Sequence, residues 1–153
     1  MMRHIVLLMI LAVGLAGCGQ SQADQEEKAV NAIHQLGGEV LRDEKLPGRP
    51  VFGVNLSGAK VTDSDLKDLR GFKGLRTLLL EGTQITDAGL KDLKELKGLR
   101  WLDLCNTQVT DAGLKDLKEL KGLKTLLLVG TQITDAGLKD LKQAFPTTDI
   151  SGP

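Results

Sequence analysis

Residues Leu75–Gly98 read LRTLLLEGTQITDAGLKDLKELKG, and the next 24 residues, Leu99–Gly122, read LRWLDLCNTQVTDAGLKDLKELKG. The two agree at 19 of 24 positions. Working outward, Val51–Gly74 (VFGVNLSGAKVTDSDLKDLRGFKG) precedes them in the same phase, and Leu123–Pro146 (LKTLLLVGTQITDAGLKDLKQAFP) follows. Four units of one length in unbroken phase make this a repeat chain. Ile150 stands 24 residues after Leu126, so the phase runs past the last full unit.

Each unit has two halves with different periods. In the first half Leu78 and Leu80 alternate with other residues, the mark of a short strand with one buried face. In the second half Leu90, Leu93 and Leu96 recur every third residue, while Lys91, Asp92, Lys94 and Glu95 take the other faces. That pattern predicts a short amphipathic helix or a series of helical turns. Thr86 or Asp87 stands where a cap belongs, and Gly74, Gly98 and Gly122 mark the stops. A single unit cannot bury its apolar face, but stacked units share a continuous leucine interior.

The spacing therefore predicts an α/β solenoid, with parallel strands on the concave side and short helices on the convex side. The pattern resembles the leucine-rich-repeat superfamily, specifically bacterial 24-residue repeats with the TDAGL helix start. It is also similar to the repeats of F-box-type substrate receptors. Thr83, Thr107 and Thr131 stand where many such repeats carry Asn or Cys. The resemblance covers Val51–Ile150.

Gly89, Gly113 and Gly137 recur in register inside the helical halves. Mid-helix Gly costs about 1 kcal/mol relative to Ala, so three of them imply close approach between coils. Asp65 takes this position in the first unit and reads as an end with looser packing. Before the repeats, Ala29, Val30, Ile33 and Leu36 at helical spacing predict a helix over Asp24–Leu36. Val40–Glu44 and Val51–Leu56 flank KLPGRP, whose Pro47-Gly48 suits a type II turn and hence an antiparallel hairpin. At the far end, Phe145-Pro146 replaces Lys-Gly and is expected to cover the last core layer.

The N-terminus reads as an address. MMRH precedes the apolar run IVLLMILAVGLA, whose 12 residues fall short of the roughly 20 that a membrane-spanning helix needs. Leu15-Ala16-Gly17-Cys18 resembles the lipobox of bacterial lipoproteins. That resemblance implies cleavage before Cys18, lipid on its thiol and an acylated amino group. Two or more acyl chains anchor stably. The expected organisation is a signal peptide over 1–17, a polar tether over 18–28, an N-terminal cap over 29–50, four repeats over 51–146 and a C-terminal cap strand over 147–153. The expected location is the bacterial cell envelope, lipid-anchored to a membrane, at the outer membrane or a periplasmic face rather than in the cytoplasm.

Charge and composition narrow the function. Lys and Arg number 20 and so do Asp and Glu, giving zero formal charge and no basic face for phosphate contacts, so nucleic acid is not an expected partner. His34 on the first helix and Cys105 deep in the repeats form no nucleophile–base pair by sequence, so no enzyme is expected. Asp63, Asp87, Asp111 and Asp135 form a column at 24-residue spacing, which helix capping explains without a metal. No cofactor is expected.

The repeats differ mainly at and just after the strand. Leu75–Gly98 and Leu99–Gly122 differ at Thr77/Trp101, Leu79/Asp103, Glu81/Cys105, Gly82/Asn106 and Ile85/Val109. Trp101, Leu79, Leu127, Val129 and Cys105 are expected to form an apolar patch on the concave face, edged by Asp103, Glu81, Arg76, Arg100 and Lys124. An aromatic anchor with a charged rim suits a protein or peptide ligand. Two readings remain open at this point: a membrane-anchored protein-interaction module, and a passive envelope lipoprotein whose repeats have drifted where packing does not constrain them.

Overall fold

The computed structural model describes residues 21–152. Cys18 and the preceding signal lie outside the described residues. The chain opens with helix α1 (Gln22–Gln35) and an antiparallel hairpin, β1 (Glu39–Arg42) and β2 (Val51–Asn55). Parallel strands β3 (Thr77–Leu79), β4 (Trp101–Asp103), β5 (Thr125–Leu127) and β6 (Asp149–Ser151) follow in sequence order, so the sheet runs β1-β2-β3-β4-β5-β6. The helical halves are a 3-10 helix over Asp65–Gly71, α2 (Asp87–Leu93), a 3-10 turn over Asp111–Gly113 running into α3 (Leu114–Leu117), and α4 (Asp135–Ala144).

The register reproduces the sequence period strand by strand. Leu78, Leu102, Leu126 and Ile150 lie side by side, as do Thr77, Trp101, Thr125 and Asp149. Leu78, Leu102 and Leu126 are fully buried, and Leu90, Leu93 and Leu117 meet them from the helix side. The second leucine of each pair also turns inward: Leu80, Leu104 and Leu128 are fully buried although they follow the strands. There the backbone turns at Gly58, Gly82, Asn106 and Gly130, all with positive φ. Asn106, at φ 54°, occupies a conformation that Asn tolerates better than most side chains. The turns are stitched across coils by Gly58 N–H to Glu81 O (2.7 Å), Gly82 N–H to Cys105 O (2.9 Å) and Asn106 N–H to Val129 O (2.8 Å). Thr83, Thr107 and Thr131 donate their hydroxyls to the carbonyls of Leu80, Leu104 and Leu128 at 2.6–2.7 Å, so these small polar residues are satisfied within their own coil.

The N-terminal helix starts earlier than its apolar spacing predicts. Ser21 and Asp24 close a capping box, which starts α1 at Gln22, two residues before the expected Asp24 and inside the stretch expected as tether. Ala29, Val30 and Ile33 bury against the first coil, where a Cβ at Gly71 would stand 2.8 Å from Ala29 Cβ. The hairpin turns at Leu46–Arg49, with Arg49 N–H bonded to Leu46 O at 3.0 Å and Gly48 at φ 77°, the arrangement of a type II turn. Phe145 is buried at the last coil.

One device corrects the reading of the aspartate column. The aspartate column does not cap its own helices. Asp63 Oδ1 and Oδ2 accept the backbone N–H (2.8 Å) and hydroxyl (2.6 Å) of Thr86, the next coil's N-cap. Asp87 does the same to Thr110, and Asp111 to Thr134. Each Thr then caps its own helix, as Thr86 Oγ1 does by accepting from Ala88 N–H. The aspartates are clasps between coils. Asp65, at the glycine position of the first unit, takes the same part within its own coil. The first coil has no predecessor to supply a carboxylate, and Asp65 Oδ2 supplies it instead, accepting from Thr62 N–H at 2.8 Å and Thr62 Oγ1 at 2.7 Å.

Candidate functional site

Residues that alternate with the buried leucines line the outer, concave face of the sheet. Trp101 is 44% exposed there on β4, and Val129, just past β5, is 51% exposed. Leu79 and Leu127 are half-buried on β3 and β5. The structure thus places four of the expected apolar residues on one side of the molecule.

The arrangement departs from the expected patch in three respects. Asp103 is not at the rim: register sets it between Leu79 and Leu127, so a carboxylate divides the apolar surface. Glu81, Cys105 and Val129 are not strand residues, because each strand is only three residues long and they occupy the turns that follow. Cys105 is not presented to solvent: it is 9% exposed. Its backbone N–H donates to Asp103 Oδ1 at 2.9 Å. Of the basic residues expected at the rim, Arg100 turns its guanidinium to the carbonyl of Gly122 (3.1 Å), at the end where the strands begin.

Burial pushes the Cys105 thiol up to about 11, helped by its hydrogen bond to Asp103 and the negative charge of Asp103, with Glu81 adding to the effect and a backbone hydrogen bond at Val129 opposing it. The thiolate is the reactive form, so this cysteine is held inert rather than activated. At pH 8 its thiolate population lies about a hundredfold below that of an ordinary thiol. We expect iodoacetamide to label Cys105 in the folded protein far more slowly than in the urea-unfolded chain. Asp103→Asn should speed labelling of the folded protein; equal rates before and after unfolding would contradict this account.

Among the described residues, His34 and Cys105 are not brought together. His34 lines a cleft of about 520 Å³ between α1 and the hairpin loop, beside the Glu26–Arg42 ion pair (3.4 Å), whereas Cys105 belongs to the third coil. Among the described residues, no group of His, Cys, Asp and Glu is placed to hold a metal ion, and no helix is long and apolar enough to cross a membrane.

Comparison with solved structures agrees with the architecture. A leucine-rich-repeat protein of Leptospira interrogans superposes with a TM-score of 0.52 at 24% identity, over 67% of this chain and 26% of its own length. An internalin of Listeria monocytogenes matches over 65% of this chain and 34% of its own, with a TM-score of 0.43 and 24% identity. The ectodomain of a plant membrane receptor kinase from Arabidopsis thaliana matches over 74% and 16%, with a TM-score of 0.45 and 18% identity. No protein-family model matches the chain, and no curated protein matches it. The chain spans about a quarter of the length of the Leptospira protein. Its fold is the leucine-rich-repeat solenoid.

Proposed function

We propose that this chain is a lipid-anchored protein-interaction module of the bacterial cell envelope, tethered through Cys18 and binding a protein or peptide on its concave face. The observation that carries the reading is Trp101, a large aromatic left 44% exposed on a face shared with Leu79, Leu127 and Val129. A large exposed aromatic with apolar neighbours and a charged group beside it has the composition of an interface anchor, and such anchors dominate interface energetics. The contact set is Trp101, Leu79, Leu127 and Val129, with Asp103 and Glu81 as charged neighbours and the buried Cys105 bonded to Asp103. The anchor reading rests on the apolar run followed by Leu-Ala-Gly-Cys at 15–18.

Two variants test the two halves. Cys18→Ser should move the protein from the detergent phase to the aqueous phase on phase partitioning; retention in the detergent phase would remove the anchor. Trp101→Ala combined with Leu127→Asp should weaken partner capture from intact cells at least about tenfold while thermal unfolding stays within a few degrees of wild type. Undiminished capture by the folded double variant would favour a passive envelope component.

A further inference from the structure

Charge is distributed unequally between the two faces of a chain whose net charge is zero. The outward positions of the six strands are two per strand, twelve in all, and not one is Lys or Arg. Three are acidic: Glu39, Asp103 and Asp149. Glu81 adds a fourth carboxylate in the turn beyond β3. The lysines have gone elsewhere: Lys97 faces Glu119 at 3.6 Å, and Lys118 faces Asp140 at 2.5 Å, on the helix side. Arg42, on the edge strand, turns to Glu26 of α1.

Resting on the binding reading above, we infer that the concave face takes an extended polypeptide segment carrying Lys or Arg among apolar residues. Asp103 and Trp101 stand two residues apart on one strand and one face, about 7 Å between Cα atoms. A cation meeting that carboxylate also has an indole within reach, and both attract it. Leu79 and Leu127 flank Asp103 on the neighbouring strands and offer apolar contact on each side of the cation. An anionic segment would meet Asp103 and Glu81 with no Lys or Arg among the twelve strand positions to offset them; the nearest cations, Arg76, Arg100 and Lys124, precede the strands, and Arg100 is turned to the Gly122 carbonyl. Six strands span about 24 Å, which is about seven residues of extended chain lying across them.

The chain holds one Trp and no Tyr, so its intrinsic fluorescence reports this face alone. The experiment pans a random-peptide library on wild type and on Trp101→Ala/Leu127→Asp, then titrates the enriched peptides against Trp101 emission. Peptides enriched on wild type only should carry Lys or Arg next to Leu, Ile or Phe. Their affinity should fall about tenfold in Asp103→Asn and weaken as salt rises, since partly exposed charges are screened. Enriched peptides that need Trp101 but are neutral or acidic, or that bind Asp103→Asn as tightly as wild type, would overturn this inference and leave concave binding standing. No peptide that depends on Trp101 and Leu127 would overturn both.

Discussion

Gly113→Val should lower the melting temperature by roughly 10 °C or more, and even Gly113→Ala should lower it. By helix propensity alone the Ala variant should stabilise, by about 1 kcal/mol. Packing opposes this. A Cβ at Gly113 would stand 2.5 Å from Asp87 Oδ1 and 2.7 Å from Leu90 Cδ1. The carboxylate cannot yield, because Thr110 holds it by two hydrogen bonds, at 2.9 and 2.7 Å. Leu90 is fully buried and has nowhere to go. Overpacking costs about 1–3 kcal/mol, and breaking the clasp adds about 1–3 kcal/mol more. For a domain between the small and medium size classes, each kcal/mol is worth about 3–6 °C. Calorimetry or thermal circular dichroism decides the matter: an unchanged or raised melting temperature for Gly113→Ala would show that the coils relax apart and that the glycine is not required by the clasp.

Gly89 and Gly137 face the same neighbours, Asp63 with Leu66 and Asp111 with Leu114. Glycine and aspartate are therefore one device: the glycine of each coil makes room for the carboxylate of the coil before it. This explains the first unit, where Asp65 needs no such room and turns its own carboxylate on Thr62.

The period was the most legible feature of the sequence, because side chains separated by one coil must stack. Knowing the 24-residue spacing is enough to pair Leu78, Leu102, Leu126 and Ile150, and the same spacing already sets Asp103 between Leu79 and Leu127. The clasps were not legible. A Thr-Asp pair at a helix start reads as a local cap, and nothing within one coil shows that the acceptor for Thr110 lies 23 residues earlier. The strand ends were equally hidden, since the L-x-L alternation continues through Leu80 and Leu104 after the strand hydrogen bonding has given way to a turn. Cys105 is covered although Glu81 and Val129, at the same position of the neighbouring coils, are exposed, so its burial belongs to this one coil and not to the repeat pattern.

Position in the stack, not the local motif, should decide what each aspartate is worth. Asp87 and Asp135 open identical TDAGL segments. Asp87 accepts two bonds from the following coil, while among the described residues Asp135 accepts none from a later coil. Asp87→Ala leaves the Thr110 amide and hydroxyl without their acceptor, a loss of about 1–3 kcal/mol. Asp135→Ala removes only a favourable charge at a helix N-terminus and should cost about 0.3–1 kcal/mol. The pH dependence follows from Asp111, whose carboxyl is held below its ordinary value of 3.8, first by the Thr134 hydroxyl and then by the Thr134 backbone N–H. A depressed folded value means that this clasp contributes in full above the unfolded value and is lost as pH falls through the folded one. Asp111→Asn should therefore lower the melting temperature at pH 7, and the gap to wild type should close as pH falls below about 4. Urea unfolding of the Asp87 and Asp135 variants, with the Asp111 variant melted across pH, would refute the clasp if Asp135→Ala proved as costly as Asp87→Ala, or if the Asp111→Asn gap stayed constant into acid.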